Sequence, residues 1–355
     1  MVFKDMLRDN ESVFRDTVAL DYDYIPKLIP FRENEQKRIA ECMRPLFNNM
    51  NGRNIFVYGS PGVGKTVACK HILKELEETT DDITQIYMNC WQTNTTYKVF
   101  LEICNVIGYK FTHNKKTEEL IKIIAEKLNK KTAVFVFDEI DKAEELNFLY
   151  LLLENIYKKS IVLITNFREW LSNLDERIKS RLTAEMLEFR PYNEIETKGI
   201  LKARLEYAFA EGAWDENAFN AVAKKAWELR DIRTGLYLMK ESGLIAESKS
   251  SRKITMVHVE EAIKKLEDFK TKDKEELEDD EQEILNIIKE NSGKKIGDIY
   301  KIYTEKGGRL AYRTFQRKIS NLEKNKFIMT EKIVGGAEGS TTILRYSTIK
   351  KLDEF

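Results

Sequence analysis

Gly59-Ser60-Pro61-Gly62-Val63-Gly64-Lys65-Thr66 stands between an apolar run, Ile55-Phe56-Val57-Tyr58, and a helical pattern from Val67 to Leu76. Strand, glycine loop and helix in that order form the context in which G-x-x-x-x-G-K-[ST] is a phosphate-binding loop. The glycines let the backbone curl with its N–H groups inward, and the helix N-terminus adds its dipole. Lys65 is expected between β- and γ-phosphates, and the Thr66 hydroxyl on Mg²⁺. The competing reading is a tight strand-to-helix turn with an incidental lysine.

Around this loop the chain supports more than one domain. It has 355 residues, 33% of them charged, with 59 basic side chains against 59 acidic ones. That balance excludes a wholly basic nucleic-acid coat but not a local basic face. Five prolines and no Ser/Gly-rich or repeated segment point to a continuously folded, helix-rich protein. Cys42, Cys69, Cys90 and Cys104 lack metal-ligand spacing and read as reduced, buried small hydrophobes. His71, His113 and His258 are scattered and read as surface or packing residues. No apolar run approaches membrane-spanning length, and Met1-Val2-Phe3-Lys4-Asp5 does not open a signal peptide. The expected setting is the cytoplasm, with no membrane partner.

Short apolar runs alternate with amphipathic helices through the first half. Strands are expected at Gln85–Asn89, Ala133–Phe137, Ile161–Thr165 and Met186–Phe189, with helices near Glu35–Phe47, Thr96–Ile107 and Thr117–Leu128. The uninterrupted Ala133-Val134-Phe135-Val136-Phe137 suits the centre of a parallel sheet, so the class is α/β, doubly wound. Upstream, Ile25-Pro26-Lys27-Leu28-Ile29-Pro30 is a stiff apolar strap that either covers a bound base or merely connects. After Pro191 the pattern turns wholly helical, with helices expected at Glu194–Glu211, Glu216–Leu229, Arg233–Ser248 and Thr255–Phe269. Lys270–Glu281 is a charge run read as a solvated linker or exposed helix start. Helices Glu283–Glu290, Ile296–Glu305 and Leu310–Asn325 precede two β-like runs around Gly335-Gly336-Ala337-Glu338-Gly339, the order of a winged helix.

Phe137-Asp138-Glu139-Ile140-Asp141 closes the central apolar strand, at the sheet edge where ligands bind. Asp138 suits the Mg²⁺ shell and Glu139 suits polarising the attacking water. Asn166 ends the next strand, where it either reaches the γ-phosphate or caps a helix. Arg177 and Arg181, one helical turn apart, either reach the γ-phosphate of a neighbouring subunit or are plain solvated arginines. Arg233 either supplies a positive charge to the nucleotide in cis or simply pairs with Asp231.

Pro30-Phe31-Arg32-Glu33, the Gly59–Thr66 loop, Asp138-Glu139-Ile140-Asp141, Thr165-Asn166, Leu174–Arg181, Phe189-Arg190-Pro191-Tyr192, Asp231-Ile232-Arg233 and the terminal winged helix together resemble the archaeal origin-recognition/cell-division-cycle initiators of DNA replication. These are AAA+ ATPases, and the likeness runs over nearly the whole chain. It implies an AAA+ P-loop core in residues 1–192 with a strap in 1–34, an α-helical lid in 193–269, a linker in 270–281 and a winged helix in 282–355. It implies Lys65 and Thr66 as Walker A, Asp138 and Glu139 as Walker B, Asn166 as sensor one, Arg177 and Arg181 as fingers, and Arg233 as sensor two. ATP or ADP with Mg²⁺ is then expected against Gly59 to Val67 and against Ile25, Pro26, Arg32 and Tyr192. The resemblance also assigns Cys90–Phe111 to an insertion that contacts DNA, although its basic residues are chiefly Lys98 and Lys110. A glycine is usual before the lid aspartate, where this chain has Arg230.

From Gly293 to Phe355 there are fourteen Lys/Arg against seven Asp/Glu. In the third helix of this tail Phe315, Ile319 and Leu322 make the buried stripe, leaving Tyr312, Arg313, Gln316, Arg317 and Ser320 outward. Arginine and glutamine there suit reading of guanine and adenine in a major groove, with Lys332 and Gly336 of the wing on the backbone. The resemblance therefore implies an ATP-dependent initiator that binds origin duplex, self-associates on DNA, helps load the replicative minichromosome maintenance helicase and hydrolyses ATP slowly as a switch. Alternatives are a regulatory AAA+ ATPase whose winged helix serves protein or non-origin contacts, and a clamp-loader-like ATPase.

Overall fold

The structure, a computed structural model, describes residues 12–275, 279–308, 310–324, 327–333 and 341–346. Ahead of the phosphate loop, a 3₁₀ turn at Thr17–Leu20 is followed by Glu33–Met43 (α1), which tightens into a second turn at Arg44–Asn48. Then come Ile55–Tyr58 (β1), Lys65–Thr79 (α2), Ile83–Asn89 (β2), Thr96–Val106 (α3), Thr117–Leu128 (α4) and Thr132–Asp138 (β3). Asn147–Asn155 (α5), Lys159–Thr165 (β4), Glu176–Leu182 (α6), Glu185–Glu188 (β5) and Glu194–Ala208 (α7) complete the alternation. The helical segment continues as Glu216–Glu228 (α8), Ile232–Ser248 (α9) and Met256–Glu275 (α10). The C-terminal part is Asp279–Glu290 (α11), Lys294–Lys295 (β6), Ile296–Glu305 (α12), Tyr312–Lys324 (α13), Ile328–Ile333 (β7) and Thr341–Tyr346 (β8).

The first sheet is wholly parallel in the order β2-β3-β4-β1-β5. Period-two alternation sends Phe135 and Phe137 to one face, with Phe56, Ile161 and Leu163, under α3 to α6. Val134 and Val136 go to the other, with Ile55, Val57, Val162 and Ile164, under α1 and α2. Every residue of β3 and β4 is buried, which is why these strands read as unbroken runs rather than alternating ones. The register pairs Tyr58 with Thr165, and Phe137 with Leu163. The phosphate loop, the Asp138-Glu139 pair and Asn166 therefore leave the sheet at one edge.

Two departures from the sequence reading stand out. Lys270 to Glu275 continue α10, and α11 begins by Asp279, so most of the charged run is helix. The run holds no glycine or proline to stop a helix. By its internal contacts the described chain divides into two compact units. One runs to Gly212 and includes Phe219–Tyr237; the other is Ala213–Ala218 with the chain from Leu238. The division falls within α8 and α9. In the second unit β6, absent from the sequence reading, joins the hairpin as a third strand in the order β6-β8-β7. α11, α12 and α13 pack on it through Ile284, Ile288, Ile299, Tyr303, Phe315, Ile319, Leu322 and Leu344.

At the sheet edge remote from the phosphate loop, the buried Lys159 ammonium donates to the carbonyls of Leu153 (3.0 Å) and Ile156 (2.5 Å) behind α5. Burial pulls its pKa down to about 8, against 10.5 for an ordinary lysine. Between those values the unfolded chain holds the proton and the folded chain does not, so this residue's contribution to stability improves as pH rises. Chemical denaturation of the parent and Lys159→Met from pH 7 to 10 is expected to move their difference by about 2 kcal/mol in the parent's favour. A pH-independent difference contradicts it.

Candidate functional site

Gly62 and Gly64 take φ of 75° and 89°, the left-handed values that turn the loop back over the start of α2. Lys65 is 7% exposed. Its ammonium donates to the carbonyls of Gly59 (2.8 Å) and Ser60 (2.9 Å) and to Asn166 Oδ1 (2.8 Å). Asn166 thus meets the loop lysine; the 3₁₀ turn after it, Arg168–Asn173, starts from Phe167 without a side-chain cap.

Asp138 is 2% exposed. Its Oδ2 accepts from the Thr66 hydroxyl at 2.7 Å and from the Tyr87 hydroxyl at 2.8 Å, and its Oδ1 from the Glu139 N–H at 3.0 Å. Tyr87 was not among the sequence candidates. Its only sequence signal is position: it lies one residue before Met88, the partner of Phe137 in the adjacent strand. Glu139 is held in the left-handed region, φ 53°, which turns its half-buried carboxylate away from the strand direction. Asp141 Oδ1 accepts from Thr165 at 2.7 Å, tying the turn after β3 to the end of β4. Burial first, and Asp138 second, push the Tyr87 hydroxyl and the Cys69 thiol up, and Cys90 up to about 12. These groups stay protonated, and all four cysteines are free and buried.

One buried carboxylate beside one hydroxyl is the donor set that Mg²⁺ takes when phosphates and water complete its shell. Among the described residues no group of three or more His, Cys, Asp or Glu makes a self-sufficient metal cage. Thr66 and Asp138 therefore fit a nucleotide-borne Mg²⁺.

The lid motif reaches the loop within the first unit. A Cβ on Gly62 would come within 2.0 Å of Asp231 Oδ1, so the aspartate lies directly on that glycine. Asp231 Oδ1 accepts from the Arg233 N–H at 2.8 Å and sits 3.5 Å from its Nε. The pairing of Arg233 with Asp231 is thus present, at the mouth of the phosphate loop. Arg230 adopts φ 55°, the backbone conformation for which glycine is usual at the end of a helix. Tyr22 lies within electrostatic range of the same motif: burial and then Asp231 raise its pKa.

Arg32 and Tyr192, expected against the nucleotide, stand behind the loop. The Arg32 guanidinium, 4% exposed, donates to Val63 O (3.1 Å), Glu35 Oε1 (3.1 Å) and the Arg190 carbonyl, and stacks 3.9 Å over the Tyr192 ring. The Tyr192 hydroxyl faces Gly64, where a Cβ would come within 2.7 Å of it. The strap holding the half-buried Ile25 and Pro26 hangs on α2 and α7: the Lys27 carbonyl meets His71 Nε2 at 3.0 Å, and Arg204 donates to Ala19 and Tyr24 carbonyls.

Arg177 and Arg181 lie exposed on α6. Arg177 is pinned to Asp175 by two bonds, at 3.1 and 3.0 Å, which hold that carboxyl below its usual range. Arg181 lies over Tyr150 and 3.8 Å from Glu154. In the second unit Tyr312, Arg313, Gln316, Arg317 and Ser320 are exposed on α13, opposite the buried Phe315, Ile319 and Leu322. Lys332 belongs to β7, and Gly336 lies outside the described residues. The expected DNA-contacting insertion is α3 with its flanks, from which Trp91 (55% exposed) and Phe111 (80%) project.

The AAA domain family matches residues 48–169 and the Cdc6 AAA+ ATPase-type lid domain family residues 198–264. The ORC1-type DNA replication protein 1 of Methanothermobacter thermautotrophicus is 30% identical over 365 residues, covering 96% of this chain and 95% of the relative. The chain belongs to the archaeal ORC1-type replication proteins. The ORC1-type DNA replication protein 1 of Sulfurisphaera tokodaii is 34% identical over 268 residues, 72% of this chain and 67% of that one. The solved structure of the Aeropyrum pernix ORC1 protein in complex with DNA superposes with a TM-score of 0.69 at 26% identity, covering 94% of each chain. This ORC1-type chain is thus an AAA+ ATPase by family. Among the described residues no helix is long and apolar enough to cross a membrane.

Because Arg32 holds the loop from behind, Arg32→Met is expected to lower stability by about 3 kcal/mol through its stranded buried partners. It should weaken ATP binding together with it. Denaturation and calorimetric titration check this; an unchanged unfolding midpoint contradicts it.

Proposed function

We propose that this ORC1-type chain is an ATP-dependent replication initiator. Its winged helix binds origin duplex, it associates with further copies there, and it helps load the replicative minichromosome maintenance helicase. The observation that carries the switch is the seat of Asp231 on Gly62, with Arg233 tied to that aspartate. A group entering the loop meets the start of α9 directly. α9 is one helix from Ile232 to Ser248, and it runs from the first compact unit into the second. Events at the phosphate loop therefore act on a helix that belongs to both.

With ATP as substrate, Lys65 exchanges its carbonyl partners for β- and γ-phosphate oxygens, and Asn166 stays beside it to hold the γ-phosphate. Glu139 takes a proton from the attacking water, and Arg233 exchanges Asp231 for the phosphate. Bound Mg²⁺, held by Thr66 and Asp138, neutralises phosphate charge. Arg177 and Arg181, exposed on α6, serve a neighbouring copy, which makes the lone chain a slow ATPase. Loss of the γ-phosphate returns Arg233 to Asp231 and frees the lid.

On the DNA side, the exposed Arg313, Gln316 and Arg317 read base edges, and the basic surplus of the tail engages phosphates. Duplex binding by the parent is expected to be about 5- to 100-fold tighter with ATP than without, the range of ordinary site coupling. Lys65→Ala should lose that difference; parent and variant holding duplex equally in both states contradicts the coupling. If six phosphates are neutralised, log affinity should fall with log salt at a slope of about −5. Arg313→Ala and Arg317→Ala should each cost about 1–3 kcal/mol on the preferred sequence and relax the preference while leaving the slope near the parent's, and a flat salt response removes duplex DNA as the partner.

A further inference from the structure

We propose that Tyr87 is a positioning residue of the ATPase site: its hydroxyl holds the Asp138 carboxylate in the orientation that receives Mg²⁺. The proposal rests on the nucleotide-site reading above. Oδ2 of Asp138 accepts two hydroxyls, Thr66 at 2.7 Å and Tyr87 at 2.8 Å. A hydroxyl carries one O–H and two lone pairs, so Thr66 turns a lone pair to the metal and keeps donating to Oδ2. Thr66 belongs to the cation site itself, while Tyr87 anchors the same oxygen from the edge strand. Oδ1 keeps the Glu139 N–H at 3.0 Å, and together these two donors define the carboxylate plane. The carboxylate torsion is otherwise broad and roughly two-fold, so removal of the Tyr87 donor widens the range of orientations it samples.

The fold delivers the hydroxyl from outside the loop. Tyr87 lies on β2, the edge strand, on the face opposite the buried Ile86 and Met88. From α2, the Lys70 ammonium sits 5.1 Å from its ring centroid and 3.7 Å from Asp23 of the strap. Lys70 meets only the ring face, and the hydroxyl alone meets the site. Outer hydrogen-bond partners of this kind alter metal affinity more than they alter fold.

Tyr87→Phe in the full chain removes one oxygen. Binding of a fluorescent ATP analogue is titrated with Mg²⁺ and repeated in excess EDTA, and melting is followed without nucleotide. The Mg²⁺ needed for half-maximal tightening is expected to rise about tenfold. Affinity in EDTA should stay at the parent's value, while the melting point falls by only the few degrees expected for one lost hydrogen bond to a buried carboxylate. Lys70→Met, which leaves the hydroxyl, should keep the parent's Mg²⁺ requirement. An unchanged requirement in Tyr87→Phe overturns the proposal. So does an equal loss in EDTA, or a rise in Lys70→Met as large as that in Tyr87→Phe. If the parent itself shows no Mg²⁺-dependent tightening, the nucleotide-site reading fails first and takes the proposal with it.

Discussion

A single buried carboxylate, Asp138, organises the site. A charge almost fully removed from water is tolerated only where donors surround it. Here they come from three separate elements: Thr66 from the start of α2, Tyr87 from the edge strand, and the Glu139 N–H from the turn beyond β3. The left-handed backbone of Glu139 belongs to the same turn, where it redirects the chain beyond β3. Lys65 meets the complementary requirement. It satisfies its ammonium with two loop carbonyls and Asn166, so the loop closes around that charge as α2 and Tyr87 close around Asp138.

A second layer makes this possible. Arg32 ties the loop carbonyl of Val63 to the Arg190 carbonyl after β5 and stacks on Tyr192, whose hydroxyl fills the space above Gly64. The segments that resemble family motifs upstream and downstream of the core therefore act together as a clamp behind the glycines. Asp231 plays the corresponding part in front, lying on Gly62 while it receives Arg233. Placing arginine at position 230 in a left-handed conformation costs on the order of 1 kcal/mol relative to glycine. The turn survives because Asp231 N–H bonds to Ala226 O and Arg230 N–H to Trp227 O, closing the end of α8.

The C-terminal unit follows a different economy of charge. Its outward helix face is polar and basic, whereas the same helix buries Lys318 3.4 Å from Glu281 at the start of α11. A buried ion pair of this kind contributes little net stability but penalises any register in which it is broken. It therefore fixes which side of α13 is presented outward, including Arg313, Gln316 and Arg317.

Much of this was legible in the sequence because it is local. Glycine spacing before Lys65-Thr66, an apolar run closed by Asp138-Glu139, and 3–4 periodicity in α13 depend on residues within one element and its neighbours. The strand pattern likewise gave the α/β class, since β3 and β4 are buried on both faces. Non-local pairing stayed hidden. Tyr87 reaches Asp138 across 51 positions, and Lys65 reaches Asn166 across 101. That Arg32 ties Val63 to Arg190 and stacks on Tyr192 could not be read from its motif, because only packing decides which side of a backbone a side chain faces. The charged run that continues α10 and opens α11 looked like a linker, since charge marks exposure and not the absence of helix. The chain alone determined which chemistry is present; tertiary structure decided which groups share one buried charge, because desolvation and hydrogen bonding act between atoms near in space, whatever their separation along the chain.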